Sequence, residues 1–225
     1  MPRVELQVPF PQKDEAKRLG ARWDNQKRVW YVPDGLDTAP FKKWLPKTRL
    51  PDVRAGYYYI AQTYEICWKC GQVSAVFGLL VPPGHETDEG RDGDGLEFES
   101  DAAFEAWANS PESQEWEKSD TAAFIFFVST LPAAVQAQMT KLTKSYRIDF
   151  SKTLDDSYWM NHCEHCDAKL GDHPMYTPPA TTFCPDHERA AALISLHRVS
   201  EPIEACCGSM LLDPPFIECM RGAEV

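Results

Sequence analysis

Two stretches of similar pattern dominate this sequence: Glu65-Ile66-Cys67-Trp68-Lys69-Cys70-Gly71 and, much later, Asn161-His162-Cys163-Glu164-His165-Cys166-Asp167. Each contains two cysteines separated by two residues. That spacing lets both thiolates turn toward one point about 2.3 Å from each sulfur, as a tetrahedral zinc ion requires. Two such pairs in one chain predict a structural Zn²⁺ site, with Cys67, Cys70, Cys163 and Cys166 as ligands. The alternative is two redox or purely structural dithiols.

The two cysteine pairs are far apart, with 92 residues between Cys70 and Cys163. Either a long insertion splits one site, or each pair binds its own metal. A single C-x-x-C pair cannot complete a tetrahedral shell, so we favour one shared site that joins distant parts of the chain. Metal binding would then contribute directly to folding, and we expect Cys67→Ser to unfold or destabilise the larger domain.

The composition indicates a globular chain with an uneven charge distribution. Its 225 residues are 43% hydrophobic and 12% aromatic, enough for one large or two small domains. We expect a cytoplasmic protein, because no apolar run could span a bilayer and the N-terminus lacks a signal-peptide core. Residues 1–50 hold 11 Lys and Arg against 6 Asp and Glu, whereas the remainder holds 12 against 28. This asymmetry predicts two functional surfaces, the alternative being two solvated faces.

Residues 1–47 predict a small basic, aromatic-rich domain of order β-α-β-α. Strands are predicted at 4–8 and 28–32, and short helices at 13–19 and 41–45. Aromatic side chains at Trp23, Trp30, Tyr31 and Trp44 could stack on bases, although for the three tryptophans we favour a role in the core of so small a domain. Seven cations are candidates for contact with phosphates: Lys17, Arg18, Arg22, Lys27, Arg28, Lys42 and Lys43.

The motifs of this segment resemble a known family. They are Val8-Pro9-Phe10, Lys13-Asp14-Glu15-Ala16-Lys17, Leu19-Gly20-Ala21-Arg22-Trp23-Asp24, Trp30-Tyr31-Val32-Pro33 and Phe41-Lys42-Lys43-Trp44-Leu45-Pro46. In this order they closely resemble a small bacterial domain of unknown function that recurs in plasmid-type DNA primases of the TraC kind and in other mobile-element proteins. The resemblance implies a fold and a link to mobile elements. It does not bring primase activity, because the catalytic carboxylates of a primase are absent from this sequence.

Residues 48–225 predict a larger α+β domain of antiparallel strands and helices built around a split zinc ribbon. Strands are predicted at 57–66, 72–81, 124–128, 146–150 and 158–160, and helices at 100–107, 132–139 and 188–197. The two cysteine stretches, with Leu170-Gly171-Asp172, also resemble ribbon-like zinc domains of uncharacterised bacterial proteins. That resemblance implies the same four cysteines as ligands and no reaction.

Two further features of the larger domain leave alternatives open. The acidic insertion at 84–120 holds 13 Asp and Glu against 2 Lys and Arg; a solvated surface is the simpler interpretation, and binding of a basic partner the alternative. Its first part, 84–95, is predicted to be a loop. A second metal could be assembled from Cys184, His187, Cys206, Cys207 and Cys219, but adjacent cysteines seldom ligate one zinc, so buried thiols are the default.

The sequence favours a binding protein over an enzyme. Four thiolates close a zinc site, and the chain has no Gly-rich phosphate loop and no H-E-x-x-H motif. We therefore predict a non-enzymatic zinc-binding adaptor for nucleic-acid processing on bacterial mobile elements, which contacts single- or double-stranded nucleic acid through its N-terminal domain. The alternative is a regulator or inhibitor that binds a basic protein through residues 84–120. No membrane association is predicted.

Overall fold

A computed structural model gives the fold and describes residues 3–6, 8, 12–25, 29–45, 49–90, 96–177 and 180–224. The chain divides into two compact units. The first unit comprises Met1–Thr48 and Lys152–Ser157, and the second comprises Arg49–Ser151 and Tyr158–Val225. Strands and helices are mixed throughout, and the strand pairs recorded for the described residues are antiparallel. The predicted α+β class is therefore confirmed.

The first unit is a three-stranded sheet with helical segments on one face. Its elements are β1 (Val4–Leu6), α1 (Lys13–Arg18), β2 (Arg22–Asp24), β3 (Val29–Val32) and a 3-10 helix (Ala39–Trp44), with sheet order β1-β3-β2. The β-α-β-α prediction lacked β2. This strand pairs Trp23 with Trp30, whose ring centroids are 5.6 Å apart, and cross-strand aromatic pairs of this kind stabilise short sheets.

The core of the first unit lies between the sheet and the helical segments. Ala16 of α1 and Phe41 and Trp44 of the 3-10 helix are buried with Leu6 and Val32 of the sheet. Since Leu6 and Trp23 both pair with Trp30, these side chains share the covered face. Glu5, Arg22 and Tyr31 pair on the opposite face of the sheet.

The second unit contains three sheets. Its strands are β4 (Val53–Ala55), β5 (Tyr58–Ile66), β6 (Val73–Val81), β7 (Glu86–Asp88), β8 (Trp116–Lys118), β9 (Ala123–Phe126), β10 (Tyr146–Ser151), β11 (Asp156–His162), β12 (Lys169–Leu170), β13 (Ser195–Val199), β14 (Ile203–Ala205) and β15 (Ser209–Leu212). The first two residues of β11 are counted with the first unit. The sheet orders are β13-β5-β6-β9-β15, β14-β4-β7-β8 and β10-β11-β12.

The described part of the second unit also contains four short helices. They are α2 (Asp101–Ala108), α3 (Ala133–Leu142), α4 (His173–Tyr176) and α5 (Glu188–Ala191), with 3-10 turns at Pro111–Ser113 and Ile217–Cys219. Both faces of the five-stranded sheet are covered: Tyr59 and Leu80 are buried on one face, and Ile60 and Leu79 on the other. No helix within the described ranges is both long enough and apolar enough to cross a membrane.

Two local predictions for this unit were wrong. Part of the predicted loop at 84–95 forms β7, whose Glu86 pairs with Arg54 of β4 at 2.5 Å, while residues 91–95 lie outside the described part. The predicted helix at 188–197 ends at Ala191, because residues 195–199 pair with β5 and bury Leu196. The tertiary pairing outweighs the helix propensity of an alanine-rich segment.

Candidate metal centre

Four cysteine sulfur atoms converge at one end of the β5–β6 hairpin. The Sγ atoms of Cys67 and Cys166 are 3.6 Å apart, those of Cys70 and Cys163 are 3.7 Å apart, and all four lie within 4.8 Å of one another. A tetrahedron with metal–sulfur bonds of about 2.3 Å has edges of about 3.8 Å. The Cys67–Cys166 and Cys70–Cys163 distances match this edge, so the group is compatible with a tetrahedral metal site, and its four soft donors suit zinc.

Each cysteine pair lies in a tight turn, called here the first knuckle (67–72) and the second knuckle (163–168). In the first, Gly71 N–H donates to Cys67 C=O at 2.8 Å and Cys67 N–H donates to Gln72 C=O at 2.9 Å. In the second, Asp167 and Cys163 make the equivalent bonds at 2.9 and 2.8 Å.

The fifth residue of each knuckle has left-handed backbone. The φ angle is 71° at Gly71 and 59° at Asp167. Glycine adopts this conformation at little cost, and Asp and Asn tolerate it better than most residues. The Asp167 carboxylate forms an ion pair with Arg147 of β10. Both sequences can therefore close the same turn.

Backbone N–H groups directed at the sulfurs alter the acidity of the thiols. The N–H of Cys70, assisted by that of Lys69, lowers the pKa of Cys67 to about 6. Burial raises the pKa of Cys163, but the N–H groups of His165 and Cys166 outweigh it and the pKa is lowered. At Cys166 the N–H of Ala168 favours the thiolate, yet desolvation and the neighbouring sulfurs raise the pKa to about 12. The Cys67 thiol therefore ionises readily, whereas the Cys166 thiol does not. A bound cation would favour ionisation of Cys166 as well.

Asn161, which precedes the second cysteine pair, and Glu164 and His165, which lie between its cysteines, hold this knuckle against β6. The side chain of Asn161 bonds both the N–H and the C=O of Phe77 at 2.8 Å. Glu164 accepts from the N–H of Ala75 at 3.0 Å, and Nε2 of His165 contacts the C=O of Val73 at 2.9 Å. These roles escaped prediction from the sequence. The available signal was an amide side chain at Asn161 directly after the apolar Trp159-Met160, where a polar group needs a partner.

Trp68 links the first knuckle to the strand after the second, and His162 is held from β10 and the residue before it. Trp68, between the first two cysteines, donates from Nε1 to the C=O of Lys169 beyond the second pair at 2.8 Å. His162 is buried and hydrogen-bonded through its two ring nitrogens to Asp149 at 3.0 Å and to the C=O of Ser145 at 3.2 Å. Both His162 and His165 therefore have partners other than a metal.

A second metal site from the C-terminal cysteines is not assembled. Within the described ranges, one group of His, Cys, Asp and Glu comes close enough to hold a metal, and it is the four-cysteine group. Cys206 instead contacts Asp52, with its Sγ 3.5 Å from Oδ2, and the N–H of Cys207 donates to Oδ1 at 2.8 Å. Burial raises the pKa of Cys184, as expected for an inert thiol.

Of the seven candidate nucleic-acid residues, the five that the structure describes are exposed but do not form one patch. Lys17 and Arg18 lie at the end of α1, and Lys42 and Lys43 lie on the 3-10 helix, so these four belong to the helical layer. Arg22 lies on the opposite face of the sheet. Lys43 is paired with Glu15 at 2.7 Å, whereas Lys27 and Arg28 fall outside the described residues.

The tryptophans of the first unit differ in environment. Trp44 is buried and donates from Nε1 to Gln12 at 2.5 Å, so it belongs to the core. Trp30 is half-buried. Trp23, on the edge strand β2, is 45% exposed.

Comparison with known proteins relates the first unit to a recognised domain. Residues 3–46 match the family model "Domain of unknown function (DUF5710)", so the first unit carries this domain. Two proteins from Escherichia coli, each described as "DNA primase TraC", are 67% and 62% identical to the chain over 42 residues. These residues are 19% of this chain and only 4% and 3% of the two primases. No solved structure matches the chain.

Proposed function

We propose that this protein is a non-enzymatic zinc-binding accessory protein of bacterial mobile elements. The convergence of four sulfurs on tetrahedral dimensions carries the zinc part of the proposal. Four thiolates fill the coordination shell and leave no position for substrate, which supports a structural ion. The similarity of residues 3–46 to a segment of TraC primases supports the association with mobile elements.

Elemental analysis of the purified full chain tests the metal assignment. We expect one zinc per chain and less than a tenth of that amount of iron, since four thiolates can also hold iron. A stoichiometry near zero for both metals, in protein purified under reducing conditions, would refute the assignment.

We further propose that the first unit contacts nucleic acid through the helical layer. Among the described residues, Lys17, Arg18 and Lys42 are exposed and have no ion-pair partner, and all three lie on α1 or the 3-10 helix. Cations of this kind can neutralise phosphates and make binding dependent on salt. Exposed Trp23 could add stacking on an unpaired base.

A binding assay with matched charge reversals tests this contact. Lys17→Glu, Arg18→Glu and Lys42→Glu together should weaken binding of single- or double-stranded DNA at least tenfold. The control set Lys118→Glu, Lys141→Glu and Lys144→Glu changes the net charge equally, uses lysines of the second unit and should have a much smaller effect. Equal losses in both sets would show that only net charge matters.

A basic protein partner for residues 84–120 is the second candidate. In its described parts, 84–90 and 96–120, the acidic segment forms β7, α2, a 3-10 turn and β8, with Glu105 and Glu112 exposed on α2 and the 3-10 turn. If the intact protein binds no DNA or RNA at low salt, this candidate gains support.

A further inference from the structure

The side of β6 that faces β9, called here the β6 edge, is paired along part of its length by a strand and along the rest by side chains. On one side β6 pairs with β5 from Val73 to Leu80. On its other side β9 pairs with β6 only at Leu79, Leu80 and Val81. From Phe77 back to Val73 that side is paired by Asn161, Glu164 and His165, which bond alternate residues of β6.

In the segment 73–77, the side chains bond every second residue of β6, as a neighbouring antiparallel strand would. In an antiparallel sheet, alternate residues direct both N–H and C=O to the same edge. Phe77, Ala75 and Val73 are such alternate residues, in register with Leu79, which pairs with β9. The Asn161 carboxamide bonds both groups of Phe77, as an opposing backbone residue would, and Asn161 is fully buried. The three side chains therefore replace a neighbouring strand.

The side chains of Asn161, Glu164 and His165 form a cover over the β6 edge, and the neighbouring cysteines hold this cover in position. Asn161, Glu164 and His165 all lie within two residues of Cys163 or Cys166. A metal shared with Cys67 and Cys70 would hold the second knuckle against the hairpin that it covers. Without a metal, the two knuckles keep thiol contacts of 3.6 and 3.7 Å and the hydrogen bond from Trp68 to Lys169, and the N–H of Glu164 still donates to Ser74 of the hairpin at 3.0 Å.

The strand beneath the cover is suited to pairing with another strand. Its sequence, Val73-Ser74-Ala75-Val76-Phe77, has no charged residue and no proline. The cross-strand neighbours Ile66 and Val73 are 65% and 57% exposed and place apolar surface beside the edge. An uncovered edge of this composition is a template for intermolecular pairing.

We propose that the second knuckle and the adjoining Asn161 form a metal-latched cover of the β6 edge, and that metal loss exposes residues 73–77, through which two copies of the chain pair edge to edge. The proposal rests on metal binding by the four cysteines. A second copy fits because two identical antiparallel edges offer each other complementary N–H and C=O groups. The segment itself carries no charge that would repel its copy.

Metal removal from the full chain under reducing conditions tests the proposal. The metal-loaded protein should be monomeric by light scattering, with slow amide exchange at Ala75 and Phe77 by NMR. After treatment with a zinc chelator, we expect exchange at these two amides in dilute samples to accelerate at least tenfold, while Leu79 and Val81 stay protected. Concentrated samples should contain dimers in which Ala75 and Phe77 are protected again.

Two substitutions of the exposed residue Val73 test whether the metal-free dimer forms through β6. Val73→Lys places a charge on the edge and should abolish the metal-free dimer without changing metal content, whereas Val73→Thr should leave the dimer intact. A monomer at all concentrations, a dimer unaffected by Val73→Lys, or equal acceleration at Leu79 and Ala75 would overturn the proposal but leave zinc binding in place. Purified protein without metal would overturn both.

Discussion

Cys67 is 1% exposed at the end of β5, with its sulfur beside Cys166 and beneath two backbone N–H groups. The C-x-x-C spacing predicted that both pairs hold metal. It could not show that two pairs with 92 residues between them meet, because that depends on how β11 approaches β6. Nor could spacing predict the unequal acidity of the thiols, which arises from nearby N–H groups and neighbouring sulfurs.

Replacing Cys67 tests the contribution of the centre to stability. We expect Cys67→Ser to lose bound zinc and to lower the free energy of unfolding by about 2–5 kcal/mol, because metal binding is coupled to folding. Elemental analysis and urea denaturation measure the two effects. Cys219→Ser, outside the four-cysteine group, should keep one zinc and nearly full stability. A Cys67→Ser protein as stable as wild type would contradict a structural role.

Asp172 is a buried acid that the metal centre does not use. It is 2% exposed, its Oδ2 accepts the N–H of Phe127 at 2.8 Å, and desolvation raises its pKa to about 7. Since the folded-state pKa exceeds the unfolded value near 4, the protonated acid favours the fold, and this stability is lost as pH rises from about 4 through 7.

The Asp172→Asn variant removes this titration. Between pH 4 and 7, its stability relative to wild type should rise by up to a few kcal/mol, because wild type must ionise a buried carboxyl group. Urea denaturation at a series of pH values measures this difference. Asp120→Asn, at an exposed position, should follow wild type at every pH, and an Asp172→Asn curve parallel to wild type would disprove the raised pKa.

Within β6, the packing of neighbouring side chains explains why a glycine occupies position 78. A glycine in the middle of a strand usually weakens it. A Cβ at Gly78 would lie 2.3 Å from the hydroxyl oxygen of Tyr176 and 3.3 Å from Phe183. These rings stack at 4.8 Å against one face of the sheet, and their close approach explains the glycine.

Gly78→Ala should therefore destabilise the second unit by roughly 1–3 kcal/mol through forced displacement of buried rings. Thermal or urea denaturation checks this value. Gly56→Ala is the matched control, because no atom lies within 4 Å of a Cβ there and its φ is not positive. It should change stability by less than about 0.5 kcal/mol, and an equal cost at both positions would exclude the steric explanation.

At the level of the whole chain, the two parts of the sequence carry opposite net charge, which bears on the proposed contact with nucleic acid. A basic segment at 1–50 precedes a remainder with 28 acids and 12 bases. Phosphate contact requires positive surface, so the acidic remainder should weaken nucleic-acid binding at low salt and matter little when salt screens it.

Neutralising exposed acids tests this opposition. Glu105→Gln, Glu112→Gln and Glu117→Gln together should tighten DNA binding about two- to fivefold at low salt, with the gain disappearing at high salt. The corresponding Glu→Asp substitutions keep the charge and should leave affinity unchanged. If the Gln variant binds DNA as wild type does but no longer captures a basic partner, the acidic segment serves that partner.

The amino-acid sequence alone predicts the mixed class, the strands on both sides of the first cysteine pair, the candidate ligands and the kinship of residues 3–46. These features are local: alternation, spacing and short motifs record them directly. Tertiary contacts bring the four sulfurs together, place Asn161, Glu164 and His165 where a strand would lie beside β6, and pair residues 195–199 with β5. Those outcomes depend on contacts between residues far apart in the chain, where burial and hydrogen-bond satisfaction outweigh local propensity.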